Sequence, residues 1–371
     1  MPATNTFSRI ARPWINDLKV YEPGKPIQEV ARDLGFADGS DILKLASNEN
    51  ELGPSPLAIE AMRRAATDMH RYPDGGAFYL KRALADRLDV PVSSIVVGNG
   101  SNELLELTTH VFTGPNTNIV MADRAFVVYR LLAAAYGAEA IAVPMKEHTH
   151  DLRAMAQAVT PATRLVFVSN PNNPTGTMVS DEAISELLAS LPDTAVLVLD
   201  EAYVELLDEE MQPDSIRHVR DNRNVIVMRT FSKTYGLAGL RIGYAVTPPE
   251  CAHLLDRVRQ PFNVNAMALA AALAALSDQE HVARTREMVK AGLSFFEKAF
   301  RRMGLPYVPS VANFMLVQTG SGRRIFRELQ QRRVIVRPMD VYGMPEHIRI
   351  SIGTRMKNER CVAMLEEVLS K

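Results

Sequence analysis

The run Thr194-Ala-Val-Leu-Val-Leu199 carries five apolar residues in six and then stops at an aspartate, Asp200. A strand that apolar along its whole length is buried on both faces, which requires a sheet covered by helices on each side. The surrounding chain agrees. Residues 95–97, 118–121, 140–143, 165–168, 225–228 and 244–246 read as further strands, with helices over 103–112, 126–136 and 251–258. Strand and helix in succession predict an α/β fold with a mainly parallel sheet.

A chain of 371 residues exceeds what one hydrophobic core supports, so two lobes with a groove between them are expected. The last part changes character. Strands over 313–317, 334–336 and 347–352 alternate with helices over 323–331 and 358–369, which describes a small α+β unit. Ser277-Asp-Gln-Glu280 reads as a capping box opening a long helix that runs to Met303, stops at Gly304 and could link the lobes. At the other end, residues 1–44 are rich in turn residues, with one short amphipathic stretch over 27–34. Such a segment is too small for its own core and must pack on something else.

Chemistry concentrates at Thr230-Phe-Ser-Lys-Thr-Tyr-Gly-Leu-Ala-Gly-Leu-Arg-Ile-Gly-Tyr244, directly after the strand at 225–228. A lysine amine becomes a nucleophile toward carbonyls when desolvation or nearby positive charge lowers its pKa, and Schiff-base formation with pyridoxal phosphate is a main use of such lysines. Lys233 would be that amine, with Ser232 and the fork-shaped Arg241 available to a phosphate. A surface loop with turn glycines is the plainer alternative. Asp200, beyond a buried strand, needs a cationic partner. The protonated ring nitrogen of pyridoxal phosphate would serve, and a helix N-cap is the competing role. Gly98-Asn-Gly100 leads from a strand to Ser101, a candidate N-cap, and offers backbone N–H groups to an anion. The loop Ser169-Asn-Pro-Asn-Asn-Pro-Thr-Gly176 presents Asn172 and Asn173 at a strand's carboxyl end, where open α/β sheets bind ligands. Phe126 and Tyr129 have the spacing of core aromatics. Arg349, inside a strand, projects to one face and could meet an anionic substrate or an internal carboxylate.

Formal net charge is −1 with no block of like charge, which argues against nucleic-acid and membrane partners. The first ten residues lack the apolar core of a secretory signal, and the alanine-rich stretch at 266–276 is too short to span a bilayer. Cys251 and Cys361 stand far apart, so no metal site is expected, and two reduced thiols suit a cytoplasmic protein.

The order of these features resembles fold-type I pyridoxal-phosphate aminotransferases, and within them the histidinol-phosphate aminotransferases. The resemblance covers almost the whole chain. It is carried by Tyr21-Glu-Pro-Gly-Lys-Pro26, Lys44-Leu-Ala-Ser-Asn-Glu-Asn50, Arg71-Tyr-Pro-Asp-Gly75, Asn170-Pro-Asn-Asn-Pro-Thr-Gly176, Asp200-Glu-Ala-Tyr203 and Arg229-Thr-Phe-Ser-Lys233. Arg259-Gln-Pro-Phe-Asn-Val-Asn265, Val336-Arg-Pro338 and Arg349-Ile-Ser-Ile-Gly353 add to it. Ala125-Phe-Val-Val-Tyr129 and the Arg259 block look closest to a branch that also accepts aromatic amino acids. Glu51 stands where many relatives carry proline, which bears on the local loop shape.

The resemblance implies a large domain at 51–276 with a mainly parallel seven-stranded sheet, and a linker helix with a small α+β domain at 277–371. Residues 1–50 would pack with the small domain and over the active site. Lys233 would form the Schiff base, Asp200 pair the ring nitrogen, Asn173 and Tyr203 bond the ring oxygen, and Phe126 stack on the ring. Ser101, Asn102, Ser232 and Arg241 would hold the phosphate, with Tyr72 reaching it from the partner of a homodimer. Tyr21, Asn48, Arg337 and Arg349 would bind substrate. Histidinol phosphate and the glutamate/2-oxoglutarate pair are the implied substrates. Three alternatives share the frame: an aromatic amino acid aminotransferase, a decarboxylase of a phosphorylated amino acid, and a cofactor-sensing regulator. The last is disfavoured by the lack of an added helix-turn-helix or basic region.

Overall fold

A computed structural model describes residues 6–18, 20, 25–36, 38, 39 and 41–370. In chain order its first strands are β1 (Leu43–Lys44), β2 (Ile95–Gly98), β3 (Asn118–Ala122), β4 (Glu139–Val143), β5 (Thr163–Ser169), β6 (Val196–Asp200), β7 (Val225–Thr230) and β8 (Gly243–Val246). Strands β2 to β8 make one seven-stranded sheet in the order β2-β8-β7-β6-β5-β3-β4. All neighbours are parallel except at β8, which runs against both β2 and β7. The central strand is as apolar as its surroundings demand: Leu197, Val198 and Leu199 are fully buried.

The reversal at β8 has a consequence for the site. A parallel neighbour needs a crossover of a dozen or more residues, usually through a helix on the sheet face, whereas an antiparallel one can return directly. The β7–β8 connection, residues 231–242, therefore stays at the end of the sheet where β5, β6 and β7 finish. That segment contains Ser232, Lys233 and Arg241.

The remaining strands are β9 (Tyr307–Val308), β10 (Phe314–Gln318), β11 (Val334–Ile335), β12 (Arg337–Pro338) and β13 (His347–Ser351). Four of them form an antiparallel sheet in the order β12-β13-β10-β9, and β1 pairs in parallel with β11. Residues near the N-terminus are thus hydrogen-bonded into the C-terminal lobe. Its core gathers Leu43 and Leu45 with Met315, Val317, Ile348, Ile350 and Leu365.

The helix Gln279–Met303 joins the lobes; its 25 residues span roughly 37 Å at helical rise. Val282 near its start belongs to the large core, and Phe296 and Phe300 near its end to the small one. Gly304 closes it with φ +66°, as expected. The start differs from expectation. The preceding helix runs on to Ser277, whose hydroxyl donates back to the Ala274 carbonyl, so Ser277 cannot open a capping box. Asp278 is the first non-helical residue available, and its carboxylate accepts from the His281 N–H at 3.0 Å. Losing such a cap costs about 1 kcal/mol. Asp278→Ala should therefore lower the thermal midpoint measurably, whereas Ser277→Ala should leave it nearly unchanged; calorimetry of the two variants checks the assignment.

Candidate active site

A cleft of about 290 Å³ opens between the lobes at the carboxyl ends of the parallel strands. Ser101, Asn102, Phe126, Asn173, Asp200, Tyr203, Ser232, Lys233 and Arg241 line it from the large lobe, Arg337 and Arg349 from the small one, and Asn48 from the segment between. One residue put forward from the sequence is not there. Tyr72 is 83% exposed and stacks on Phe262 at 4.8 Å, outside this chain's own cleft. Tyr21 lies outside the described residues.

Lys233 is a buried amine. Its Nζ donates to the Ser47 carbonyl at 3.1 Å and sits 5.8 Å from the centre of the Tyr203 ring. Burial, and then the Arg349 guanidinium, bring its pKa down to about 8; Arg241 acts in the same direction, and Glu49 and Asp200 oppose it. An amine titrating there carries far more of its unprotonated, nucleophilic form near neutrality than an ordinary lysine does, and that form can attack a carbonyl.

Asp200 ends β6. Its Oδ2 accepts a 2.7 Å hydrogen bond from the Tyr129 hydroxyl, while Oδ1 is buried without a hydrogen-bond partner. Burial raises its pKa to about 6 against the pull of Tyr129 and of the Ala202 N–H. It caps no helix: the next turn, Val204–Leu206, begins after Tyr203 and has no side-chain cap. The sequence offered N-capping as an alternative role, and the structure removes it.

At the opposite end lies an anion cradle. The helix Ser101–Phe112 starts one residue earlier than a Ser101 cap would require, because Gly100 takes the cap position with φ +83°. A side chain there would be strained at that φ and would push Arg241 out of place: a Cβ on Gly100 would lie 2.2 Å from Arg241 Nη2. Arg241 Nη1 donates to Ser232 Oγ at 3.3 Å, and Thr230 Oγ1 donates to the same atom at 3.0 Å. Backbone N–H groups of a helix start, a hydroxyl and a guanidinium thus converge on one spot, the arrangement that binds phosphate.

The segment 46–50 ties the two ends together. Arg349 Nη2 donates to the Ala46 carbonyl at 2.8 Å, and Arg349 Nη1 to Asn173 Oδ1. Asn48, held at φ +55°, donates through Nδ2 to the Tyr203 hydroxyl at 3.0 Å and accepts from Ser351 Oγ. Asn50 Nδ2 reaches the Thr234 carbonyl in the lysine loop at 2.8 Å. Asn172 behaves differently from its neighbour. It is fully buried and bonds Thr175 Oγ1 and the Arg124 carbonyl, so it shapes the loop without lining the cleft.

Sequence reasoning missed Tyr129. Its spacing from Phe126 fits a core aromatic, and it is one, fully buried and stacked on Phe167 at 4.7 Å. Only its hydroxyl gives it a second role, and no periodicity can show where a hydroxyl ends up.

The family model described as "Aminotransferase class I and II" matches residues 40–365. The chain belongs to that family. A histidinol-phosphate aminotransferase of Akkermansia muciniphila is 49% identical over 98% of this chain and 100% of its own length. One of Moorella thermoacetica is 48% identical over 96% and 92%. Among solved structures, the histidinol-phosphate aminotransferase of Sinorhizobium meliloti in complex with pyridoxal 5′-phosphate superposes with a TM-score of 0.89, at 30% identity and 98% coverage of both chains.

Pyridoxal 5′-phosphate, the cofactor of this aminotransferase, fits three features of the site. Asp200 Oδ1 is a buried acceptor lacking the donor that a ring N–H would bring. The Gly100 cradle matches a phosphate, and Lys233 is an amine of lowered pKa between the two ends. Because Lys233 titrates near 8, cofactor capture by the apoprotein should rise about tenfold per pH unit below that point and level off above it. Arg349→Gln removes a cation that disfavours the charged amine, so it should raise the Lys233 pKa and move the plateau to higher pH. Stopped-flow absorbance across pH 6–10 measures both; coincident profiles would contradict the coupling.

Proposed function

We propose that this aminotransferase transfers the amino group of L-histidinol phosphate to 2-oxoglutarate, giving imidazole acetol phosphate and L-glutamate in histidine biosynthesis. The near-half identity to histidinol-phosphate aminotransferases over at least nine-tenths of their length supports this reading. One structural observation carries it. Arg337 on β12 and Arg349 on β13 are directly paired across the strands, and both line the cleft. Like charges opposite one another destabilise a sheet, so two guanidiniums in register suit an anion that each can contact, a phosphate dianion above all.

Bound pyridoxal phosphate supplies the carbonyl that captures the amino group and an electron sink for the charge left when Cα loses its proton. The chain's residues do the rest. Lys233 Nζ would hold the cofactor and, once free, would be the group that carries the proton taken from substrate Cα. Its lowered pKa suits both the base and the acid step. Asp200 would keep the ring-nitrogen proton in place, and Asn173 and Tyr203 would bond the ring oxygen. Phe126 would stack on the ring. Ser101, Asn102, Ser232 and Arg241 hold the phosphate, joined by the partner's Tyr72 in a cytoplasmic homodimer. Asn48, Tyr21, Arg337 and Arg349 hold substrate, with Arg349 serving both glutamate's carboxylate and the longer phosphate monoester.

In this assignment residues 51–276 form the cofactor domain, residues 277–371 the linker helix and small domain, and residues 1–50 the segment that closes on the site. The pairing of β1 with β11 supports that division.

Histidinol phosphate added to the holoenzyme should bleach the cofactor band far more readily than phenylalanine at equal concentration, and 2-oxoglutarate should restore it. Equal or better conversion by phenylalanine would move the assignment to aromatic amino acids. Arg337→Gln should raise KM for histidinol phosphate by about 10- to 100-fold, the weight of a charge-assisted hydrogen bond, with a smaller effect on glutamate. Steady-state kinetics with each amino donor measures the difference.

A further inference from the structure

We infer that Tyr129 is a positioning residue for the transamination: its hydroxyl fixes the Asp200 carboxylate so that Oδ1 accepts, and does not donate, the hydrogen bond to the cofactor's ring nitrogen. The inference rests on the cofactor role proposed above for Asp200 and extends it to a residue that never meets the cleft.

The geometry starts where the chain enters the helix Val128–Ala135. Phe126, just before it, lines the cleft, and Tyr129, in its first turn, donates its backbone N–H to the Phe126 carbonyl and packs beneath it. The two rings meet edge to face at 5.8 Å and 87°. Below, Tyr129 lies almost parallel to Phe167 of β5, with 4.7 Å between centroids and 9° between planes. Packed between these rings and fully buried, its hydroxyl has little freedom, and it meets Asp200 Oδ2 at 2.7 Å.

A carboxylate has two ways to meet a ring nitrogen. Ionised, it accepts from a ring N–H and keeps the ring cationic; protonated, it donates, and the ring loses the charge that makes it an electron sink. Burial favours the second state, raising Asp200 to about 6. A donor on Oδ2 favours the first, since hydrogen bonds to a charged form stabilise it. Tyr129 is well suited to donate always, because burial and the Asp200 charge hold its own pKa far above the ordinary phenol value.

The other charges around Asp200 do not replace it. Glu201, which disfavours the carboxylate, is tied to Arg229 at 2.8 Å. The Lys233 ammonium favours the carboxylate, but that charge is lost when the amine acts as a base. The Tyr203 hydroxyl lies against the Asn48 amide, from which it accepts at 3.0 Å. The Ala202 N–H contributes a backbone donor of fixed position.

The test is Tyr129→Phe, which deletes the hydroxyl and keeps the ring stack. In the holoenzyme kcat should fall about tenfold, with KM for 2-oxoglutarate changed less than about twofold. Pyridoxal phosphate should bind about tenfold more weakly to the variant. The analogue bearing CH in place of the ring nitrogen should bind both proteins alike, a pattern that simple loss of packing cannot produce. In an Asp200→Asn background, adding Tyr129→Phe should change cofactor affinity less than about twofold. Equal weakening for cofactor and analogue, an unchanged kcat, or a full additional loss in the Asp200→Asn background would each overturn the inference. Lys233→Ala and Asp200→Asn separate the two levels. If neither disturbs cofactor binding, the cofactor role of this cleft fails. If both do and Tyr129→Phe is silent, only the role of Tyr129 fails.

Discussion

The site depends on keeping an amine, a carboxylate and a guanidinium together in a place from which most water is excluded. Lys233, Asp200 and Arg349 are all buried or nearly so, and each isolated charge would be costly there. The protein meets that cost with fixed polar partners from elsewhere in the chain. Ser47 and Ala46 turn carbonyls toward Lys233 and Arg349, and Tyr129 turns a hydroxyl toward Asp200. The remaining strain appears as chemistry: the lysine titrates lower and the aspartate higher than either would in water.

Those carbonyls must stay where they are, and the fold arranges it through the segment 43–50. Leu43 and Lys44 are hydrogen-bonded to β11 in the small lobe, Asn48 bridges Tyr203 and Ser351, and Asn50 reaches both the lysine loop and Thr285 of the linker helix. One short stretch therefore touches both lobes and the helix between them. Movement of the small lobe would carry Arg337 and Arg349 with it, so the two cleft guanidiniums and the setting of the lysine are mechanically joined. The reversed strand β8 completes the frame by holding the 231–242 loop at the sheet's end.

Local patterns carried much of this. The apolar run before Asp200, the strand–helix alternation and the glycine turn at 98–100 each reflect a short-range requirement: burial on two faces, helical periodicity, room for a backbone near an anion. Errors came where neighbouring elements decided the outcome. Ser277 lost the capping role because the preceding helix continued through it, and Ser101 lost it because the helix already includes Ser101 and Gly100 stands at the cap. Asn172 and Asn173 are adjacent and chemically identical, yet one faces inward to the loop and the other the cleft.

What the sequence determined by itself was the fold class, the family and the chemical groups available, because hydrophobic period and motif spacing are properties of a linear chain. Which groups meet was decided by the tertiary structure. The Arg337–Arg349 pair depends on the register between two strands, and the Tyr129–Asp200 bond joins residues 71 positions apart across the sheet. Neither contact leaves a local trace, since a hydrogen bond between distant side chains constrains their separation in space and not their spacing in sequence.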